Sequence, residues 1–569
     1  MFKKILLVAV LCWLQTAVSY AKFEVSDEDF RGSYEVKHIE ETPAPVPGKA
    51  DSDRGFIAFM RYPEAMVFSN TNPKKDEITD VFKFVSAKGQ PEIVTLGIWP
   101  MKDMTGTKVL PSDLVSAGGK ISKSNIDVRV VRYMSQTVGL PYMKNYLVMP
   151  KLLEKVEAFN IKSGVTRQFW LTIKIPEDAK EGKYTGEVAI TYEGGKGVVK
   201  LEVEVLPFSV ADNPKLTYAM CGEEIDERCF IDQKEHLMNT IFPNGFSNKE
   251  VEKALELYKK TGFKHFIIPF YMDMPTASKG GFKNYKSSKE IPRAKEIAEY
   301  FVGKCKKEGL PPIAWVPVDE PGIGEMIDGV SIGTKRNDIA RELLTAIRTV
   351  PGAMTAETVS VGSVEPLFEL LDVIVWGNFT EEAVVKAQKA KKLCWYYPNG
   401  AVSPMGESNT GYIYSRYSHS YFPWMYNLDG VTAWTYPMGP SWKPTDYMGK
   451  GEKGIKREKG WIGVDGKPIP SIQWELCRQG IVDARYIYKL ETLVKEGSKS
   501  SKAGAKSAAK EGEQLLAALK LMAEKHKKAY KTHFASGEEL VTPEVIDGKK
   551  FVEMRQQLVN AIQNIMKNL

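Results

Sequence analysis

Alternating apolar and polar residues dominate the chain from residue 22 to about residue 210. The runs 169–175 and 200–205 both place apolar side chains at every second position. This period of two is typical of strands that bury one face. A glycine-rich segment at 193–197 separates two such runs and predicts a hairpin. Because few helical patterns interrupt the region, it is predicted to form a β-sandwich.

The pattern changes near Pro214, after which short apolar runs alternate with helical spacing. Such alternation indicates parallel strands joined by helices. The predicted strands lie at 216–220, 266–270, 313–316, 353–359, 372–376, 393–397 and 431–435. An eighth strand has room within residues 221–247 and would complete a (β/α)8-type barrel. The alternative is an open doubly wound sheet, but no glycine-rich phosphate loop follows any of these strands, which favours the barrel.

Helix signals mark the remaining elements. Ser247 and Glu250 form a capping box that opens a helix ending at Gly262. Helical spacing also predicts a helix near 290–307, which ends before Gly309, and another at 335–349. From about residue 475 the spacing is helical, with a segment rich in Ser, Ala, Lys and Gly at 498–510 that is predicted to be a connection. We therefore expect a β-sandwich domain at 22–212, a barrel domain at 213–490 and a helical extension at 491–569.

The first 21 residues resemble a leader rather than a folded segment. Lys3 and Lys4 precede the apolar run Ile5–Leu14, and small residues follow up to Ala21. This order is typical of a signal peptide, and the run is too short to span a bilayer. The chain is therefore expected to be secreted or periplasmic, without stable membrane insertion.

Charge and cysteine usage exclude several classes of function. The formal charge of +7 comes from the leader and from the lysine-rich segment 489–569, so the main body is neutral and has no basic surface for nucleic acid. Five cysteines follow the leader, an odd number without a C-x-x-C pair, and the six histidines are scattered. This argues against a zinc site and against a disulfide framework, with Cys221–Cys229 as the remaining bridge to consider. No metal or organic cofactor is expected.

The predicted strand ends carry carboxylates among aromatic side chains. In a barrel, the C-terminal ends of the strands hold the catalytic groups. Aromatic faces stack on sugar rings and carboxylates supply acid–base groups, so this combination indicates a glycan substrate. The residues expected to bind substrate are Tyr271, Trp376, Asn378, Tyr396, Tyr397 and Trp434.

Asp319 and Glu320 form the sharpest candidate for a catalytic pair. They follow the predicted strand 313–316, and Pro321 is expected to hold Glu320 in an extended conformation. Two carboxyl groups in one pocket separate their pKa values, so that one remains protonated as a general acid. The alternative interpretation is an exposed acidic turn without a catalytic role.

Three ordered segments resemble glycoside hydrolase family 123 and relatives that carry domain of unknown function 4091. They are Phe169–Leu171 with the segments 176–179 and 182–186, then Val318–Pro321, and finally Pro470–Glu475 with Arg478–Gly480 and Asp483. The resemblance implies a retaining exo-β-N-acetylgalactosaminidase in which the 2-acetamido oxygen of the substrate is the nucleophile. It also implies that Glu320 protonates the leaving oxygen and that Asp319 holds the acetamido N–H.

Two other functions remain open at the level of the sequence. One is a glycosidase with a protein nucleophile, either Glu357 or Asp273, acting on sugars without a 2-acetamido group. The other is a protein without catalytic activity, which either binds glycans or serves as a structural component of the cell envelope. The sequence does not determine the oligomeric state.

Overall fold

The computed structural model describes residues 23–30, 33–137, 145–222, 225–243, 247–265, 285–318, 320–322, 326–327, 330–331, 333–397, 410–433, 436, 460–462, 468–536 and 546–569. The predicted signal peptide at 1–21 and the predicted strand at 266–270 lie outside these residues.

The N-terminal part is built from strands. Those described there are β1 (Phe23–Phe30), β2 (Ser33–His38), β3 (Phe56–Phe59), β4 (Val81–Lys88), β5 (Pro91–Pro100), β6 (Met104–Pro111), β7 (Leu114–Ser116), β8 (Gly119–Ile121), β9 (Ile126–Thr137), β10 (Asn145–Glu154), β11 (Phe159–Ile161), β12 (Arg167–Lys174), β13 (Gly182–Tyr192) and β14 (Gly195–Ser209).

These strands form two sheets that enclose one apolar core. The first has the order β1-β2-β10-β9-β12-β5-β3, and the second has the order β11-β6-β13-β14-β4, with β7 and β8 paired beside β13. Leu96 and Leu171 from the first sheet and Val188 and Leu201 from the second belong to one buried cluster. Two sheets that share a core in this way form a sandwich, as the alternation of apolar residues predicted.

The two faces of β12 are both buried, unlike those of β14. In β14, Leu201 and Val203 face the core while Lys200 is exposed. In β12, Leu171 faces the core of the sandwich, but Trp170 on the other face packs against helical residues from the C-terminal half. The outer face of β12 therefore attaches the sandwich to the rest of the molecule.

The remaining strands and the helices alternate along the chain. The strands are β15 (Thr217–Tyr218), β16 (Cys221–Gly222), β17 (Phe242–Pro243), β18 (Ala314–Trp315), β19 (Met326–Ile327), β20 (Val330–Ser331), β21 (Met354–Ser360), β22 (Val373–Asn378), β23 (Leu393–Tyr396), β24 (Gly430–Val431), β25 (Gly460–Ile462) and β26 (Pro468–Pro470). The helices are α1 (Lys49–Arg54), α2 (Glu227–Glu235), α3 (Asn248–Thr261), α4 (Ser287–Glu308), α5 (Gly333–Arg348), α6 (Glu381–Lys389), α7 (Thr410–Ser418), α8 (Tyr421–Met425), α9 (Ile472–Lys499), α10 (Ala503–Ser536) and α11 (Gly548–Asn568).

The N-cap predicted at Ser247, at the start of α3, is confirmed. The Ser247 side chain accepts a hydrogen bond from the Glu250 N–H, and the helix ends at Gly262 in the left-handed conformation. The helices predicted near 290–307 and 335–349 are α4 and α5, with ends one to three residues away.

A parallel sheet forms the centre of the C-terminal half. Its described strands have the order β15-β24-β23-β22-β21-β18, and β16, which continues the chain after β15, pairs in parallel with β17. One face packs against helices, as the cluster of Trp315, Ile374 and Val384 illustrates. Residues on the other face form a second cluster, the strand-only cluster, which includes Ala219, Ala314 and Trp395. These three residues lie in or next to strands at both ends and in the middle of the order. The sheet therefore curves around this second cluster.

Three long helices complete the described chain. Helix α9 runs through the predicted domain boundary at residue 490 without interruption. The connection predicted at 498–510 is mostly helical, because α10 begins at Ala503, where Ala505 and Ala509 are fully buried. Among the described helices, none combines the length and the apolar character needed to cross a bilayer. Cys221 and Cys229 are buried thiols that do not form a disulfide.

Candidate active site

Glu320 follows the C-terminal end of β18 by five residues. Strand β18 pairs with β21 through Ala314↔Met354 and Trp315↔Thr355. Beyond this pairing, side chains of β21 take over from its backbone as hydrogen-bond acceptors. The Val318 N–H donates to Glu357 Oε1 at 3.3 Å, and the Glu320 N–H donates to Thr358 Oγ1 at 3.1 Å.

The backbone of Glu320 is left-handed, with φ of 44°. The sequence prediction of an extended Glu320 is therefore wrong. A proline disfavours the right-handed helical region for the residue before it, but it does not select the extended region alone. A left-handed conformation is rare for a residue with a Cβ and is often found where function requires it.

The chain after Glu320 lies against the turn that follows β21. A Cβ on Gly322 would stand 1.9 Å from Ser363 Cβ, so only glycine allows this approach. Ser363 is itself held in the turn, because its Oγ accepts the Ser360 N–H at 3.1 Å. The loop that carries Glu320 therefore contacts β21 at Val318 and Glu320, and it contacts the turn after β21 at Gly322.

Several predicted site residues lie outside the described part of the chain. They are Asp319, Tyr271 and Trp434, together with Asp273, the alternative nucleophile. The proposed roles of these residues remain predictions.

The placement of Trp376 and Tyr396 corrects the sequence prediction that they line the sugar pocket. Both belong to the cluster between the sheet and the helices, and Trp376 is completely buried. Phe379 packs edge-on against both rings. The Tyr396 hydroxyl is hydrogen-bonded to the Tyr414 hydroxyl, and burial raises the pKa of Tyr396 to about 12. These side chains stabilise the packing of helices on the sheet.

Tyr397 and Asn378 occupy different positions from these two aromatic residues. Tyr397 belongs to the cluster of strand residues on the opposite face of the sheet, and its N–H donates to the Trp376 carbonyl at 2.8 Å. Asn378 is exposed at the C-terminal end of β22, where its Oδ1 accepts the Val361 N–H at 3.5 Å. Tyr397 therefore lies on the face opposite to Trp376 and Tyr396, and Asn378 lies at the C-terminal edge of the sheet.

Glu357 is poorly placed for attack on a sugar. Neighbouring residues of a strand point to opposite faces, and Ala356 points to the strand-only cluster. Glu357 therefore shares the other face with Val359, which packs towards the helices. Its side chain is completely buried and accepts the Val318 N–H. Glu357 therefore acts on the backbone of the candidate acid loop.

A buried polar junction connects this edge of the sheet to the sandwich. Tyr436, which follows β24, donates its hydroxyl to Asp232 and stacks on Trp474, whose indole N–H also donates to Asp232, at 2.9 Å. The imidazole of His236 lies 3.0 Å from Glu475 Oε1, and Glu475 Oε2 accepts the Thr172 hydroxyl from β12 at 3.1 Å.

The charges of this junction are mutually stabilised. Although burial opposes each charge, neighbouring ions lower the pKa of Glu475 and Asp232 and raise that of His236. The segment around Trp474 that resembles the family thus joins the two domains. Within the described residues, no group of three or more potential ligands is arranged to hold a metal ion.

Sequence reasoning missed Thr358, Gly322 and Ser363. Thr358 and Ser363 carry no signal beyond their place after a predicted strand, because a hydroxyl at a strand end is common. Gly322 follows the Asp319–Pro321 motif directly, and a glycine at that point is the one indication of a close approach.

A parallel sheet joined by helices defines an α/β protein. In such proteins the active site lies at the C-terminal ends of the strands, and Glu320 follows one of these ends. Residues 68–192 match the family model described as glycoside hydrolase 123 N-terminal domain. A family 123 glycoside hydrolase from Clostridium perfringens, described in a study of glycolipid glycan hydrolysis, has a similar structure. It has a TM-score of 0.62 and 13% sequence identity, covering 90% of this chain and 99% of that chain. The match to the N-terminal domain supports the conclusion that the chain is a glycoside hydrolase, and the structural similarity shows that the two chains share a fold.

Other similarities are weaker. Native xylanase 10B from Thermotoga maritima has a TM-score of 0.31 with 9% identity, covering 48% of this chain and 95% of that chain. β-Glucuronidase 3 from Bacteroides uniformis has a TM-score of 0.29 with 12% identity, covering 71% of this chain and 50% of that chain. No curated protein matches the chain. The similarities to the xylanase and to the β-glucuronidase are too weak to indicate a function.

Proposed function

We propose that the protein is an exported, retaining exo-β-N-acetylgalactosaminidase that acts on a glycan by substrate-assisted catalysis. The observation that carries the proposal is Glu320 at the end of β18, fixed through its backbone by Thr358 of the neighbouring strand. The similar enzyme from Clostridium perfringens is described in connection with glycolipid glycans, which supports a glycan as the substrate here.

The proposed reaction uses the 2-acetamido group of the substrate as the nucleophile. Its carbonyl oxygen attacks the anomeric carbon while Glu320 gives a proton to the leaving oxygen, and an oxazolinium ring forms. Asp319 accepts the acetamido N–H and stabilises the positive charge of the ring. Glu320 then removes a proton from water, which opens the ring with overall retention. Such catalysis is a recognised exception to the scheme with two protein carboxylates.

The same proposal includes a closed (β/α)8 barrel and removal of residues 1–21 on export. The cluster that unites Ala219, Ala314 and Trp395 supports closure, because strands at both ends of the described order contribute to it. Tyr397 and Asn378 remain proposed substrate-binding residues together with Tyr271 and Trp434. The burial of Glu357 on the helix-facing side of β21 argues against it as a nucleophile.

A set of chromogenic β-glycosides tests the proposal. The wild type is expected to hydrolyse nitrophenyl N-acetyl-β-galactosaminide and not the matching β-galactoside, which lacks the internal nucleophile. Glu320→Gln should lose about 10²- to 10⁴-fold in kcat/KM with a disaccharide, the usual contribution of a general acid, and much less with a dinitrophenyl leaving group. Asp319→Asn should lose activity with both leaving groups.

Glu365→Gln is the matched control, because Glu365 is an exposed acid paired with Lys386. It should retain wild-type activity. Equal hydrolysis of the β-galactoside, or a covalent fluorosugar adduct on a protein carboxylate, would contradict the substrate-assisted mechanism. Binding of the glycosides without hydrolysis of any would instead favour a glycan-binding protein.

A further inference from the structure

The hydrogen bonds between β18 and β21 change character just before the candidate acid. Backbone pairing between these strands ends at Trp315↔Thr355. After that point the acceptors are the side chains of Glu357 and Thr358, which receive the N–H groups of Val318 and Glu320. The acid loop therefore leaves the path of a regular strand but stays attached to β21.

The attachment at Glu320 coincides with an unfavourable backbone conformation. At φ of 44°, Glu320 is in a region that crowds its own Cβ against the backbone. Such a conformation persists only where surrounding contacts impose it. Thr358 supplies one contact through its hydroxyl, and the residue is only 4% exposed, so this contact is shielded from water.

We propose that Thr358 is a positioning residue, whose hydroxyl accepts the Glu320 N–H and holds that backbone in the left-handed conformation that aims the carboxyl group at the leaving oxygen. This inference rests on the proposed function, in which Glu320 is the general acid. A general acid must reach the proton acceptor at hydrogen-bond distance, so a change in the backbone at its own Cα moves it out of reach.

Thr358→Val and Thr358→Ser test the role of the hydroxyl. Valine keeps the volume and the branch but removes the acceptor, whereas serine keeps the acceptor. With a disaccharide, Thr358→Val should lose about 10- to 100-fold in kcat, less than full removal of a general acid. With a dinitrophenyl leaving group, which needs little protonation, the loss should stay within about threefold. Thr358→Ser should stay within about threefold of wild type on both substrates, because its hydroxyl can still accept the N–H.

Thr355→Val is the matched control. Thr355 is also a buried threonine on β21, but its hydroxyl bonds to Leu370 and Asp372 at the other end of the strand. Its loss should lower stability without producing any dependence on the leaving group. A structure of the Thr358→Val protein should show a changed φ at Glu320, and a structure of the Thr355→Val protein should not.

Glu320→Gln, measured in parallel, separates two kinds of failure. If Glu320→Gln shows no dependence on the leaving group, the proposed function itself is wrong. If Glu320→Gln shows the dependence and Thr358→Val behaves like wild type, only the positioning role is wrong. Equal losses of kcat in Thr358→Ser and Thr358→Val, or equal losses of kcat with both leaving groups in Thr358→Val, would also overturn the positioning role. If Thr358→Val does not fold, Thr358→Ala removes the acceptor with less demand on packing and must show the same dependence.

Discussion

At the scale of single residues, the backbone conformation of the acid loop depends on its neighbours in the fold. The motif at Asp319–Pro321 predicted where an acid would stand, but the left-handed conformation of Glu320 was not predicted. Proline restricts the backbone conformations of the preceding residue, and tertiary contacts then decide which of the allowed conformations is adopted. Here those contacts come from Thr358 and from the close approach of Gly322 to Ser363.

The approach of Gly322 to Ser363 leads to a prediction at this scale. Gly322→Ala would place a Cβ 1.9 Å from Ser363 Cβ and 2.5 Å from its Oγ. We expect a loss of about 1–3 kcal/mol in the free energy of unfolding, typical of overpacking, and a lower kcat because the acid loop must shift. Activity assays and urea denaturation measure both effects.

A second substitution provides the control for Gly322→Ala. In Ser363→Gly, the nearest remaining atom would be the Cα, at 3.4 Å. The double variant Gly322→Ala/Ser363→Gly should therefore recover much of the lost activity and stability. If the two losses simply add, steric contact between these residues is not the cause.

At the scale of elements, strand alternation decides which face of the sheet each aromatic side chain occupies. Along β22, Val375 faces the strand-only cluster and Trp376 faces the helices. In β23 and the residue after it, Trp395 and Tyr397 face the strand-only cluster and Tyr396 faces the helices. The sequence identified all of them as aromatic residues near strand ends, but the orientation depends on register within the sheet.

Trp376→Phe tests this assignment of faces. The smaller ring leaves a void beside Phe379 and Cys394, so the free energy of unfolding should fall by about 1–3 kcal/mol. KM should remain within about twofold of wild type, because substitutions away from the site change stability rather than binding. Tyr397→Phe is the comparison on the opposite face. A large increase in KM for Trp376→Phe with unchanged stability would mean that Trp376 contacts the substrate.

At the scale of the whole molecule, buried ion pairs join the domains. Arg416 of α7 contacts Glu64 of the N-terminal part and Asp483 of α9, at 2.7 and 2.6 Å. Arg555 of α11 contacts the same Asp483 and reaches Glu92 on β5 at 2.7 Å. Removing one member of such a group leaves an uncompensated buried charge, so the pairs favour one relative arrangement of the domains.

The junction around His236 predicts how stability depends on pH. Burial alone would lower the pKa of His236, but Asp232 and Glu475 outweigh burial and raise it above 6.5. A raised pKa in the folded state contributes stability that is fully present below the unfolded value and is lost as the pH rises through the folded value. The destabilisation caused by His236→Gln should therefore be larger at pH 5.5 than at pH 9.

His265→Gln is the control for this pH dependence, because burial lowers the pKa of His265. Its effect on stability should change with pH in the opposite direction. Denaturant titrations at the two pH values measure both variants. A destabilisation by His236→Gln that does not change with pH would mean that the pKa of His236 is the same in the folded and unfolded states, which would contradict the prediction.

The sequence by itself determined the elements whose signals are local. Period-two runs predicted the sandwich, caps and helical spacing predicted α3 to α5, and apolar runs predicted the described parallel strands together with an acid at the end of β18. Such signals depend on residues a few positions apart, so they can be read along the chain.

Only the tertiary structure decided the features that depend on residues far apart in the chain. It turned Trp376 and Tyr396 towards the helices, made the segment at 498–510 mostly helical and set Glu320 in a left-handed conformation. It also brought Thr358 to Glu320 and Arg416 to Glu64. The physical reason is that burial and hydrogen bonding are satisfied in three dimensions, where partners from distant segments outweigh local preference.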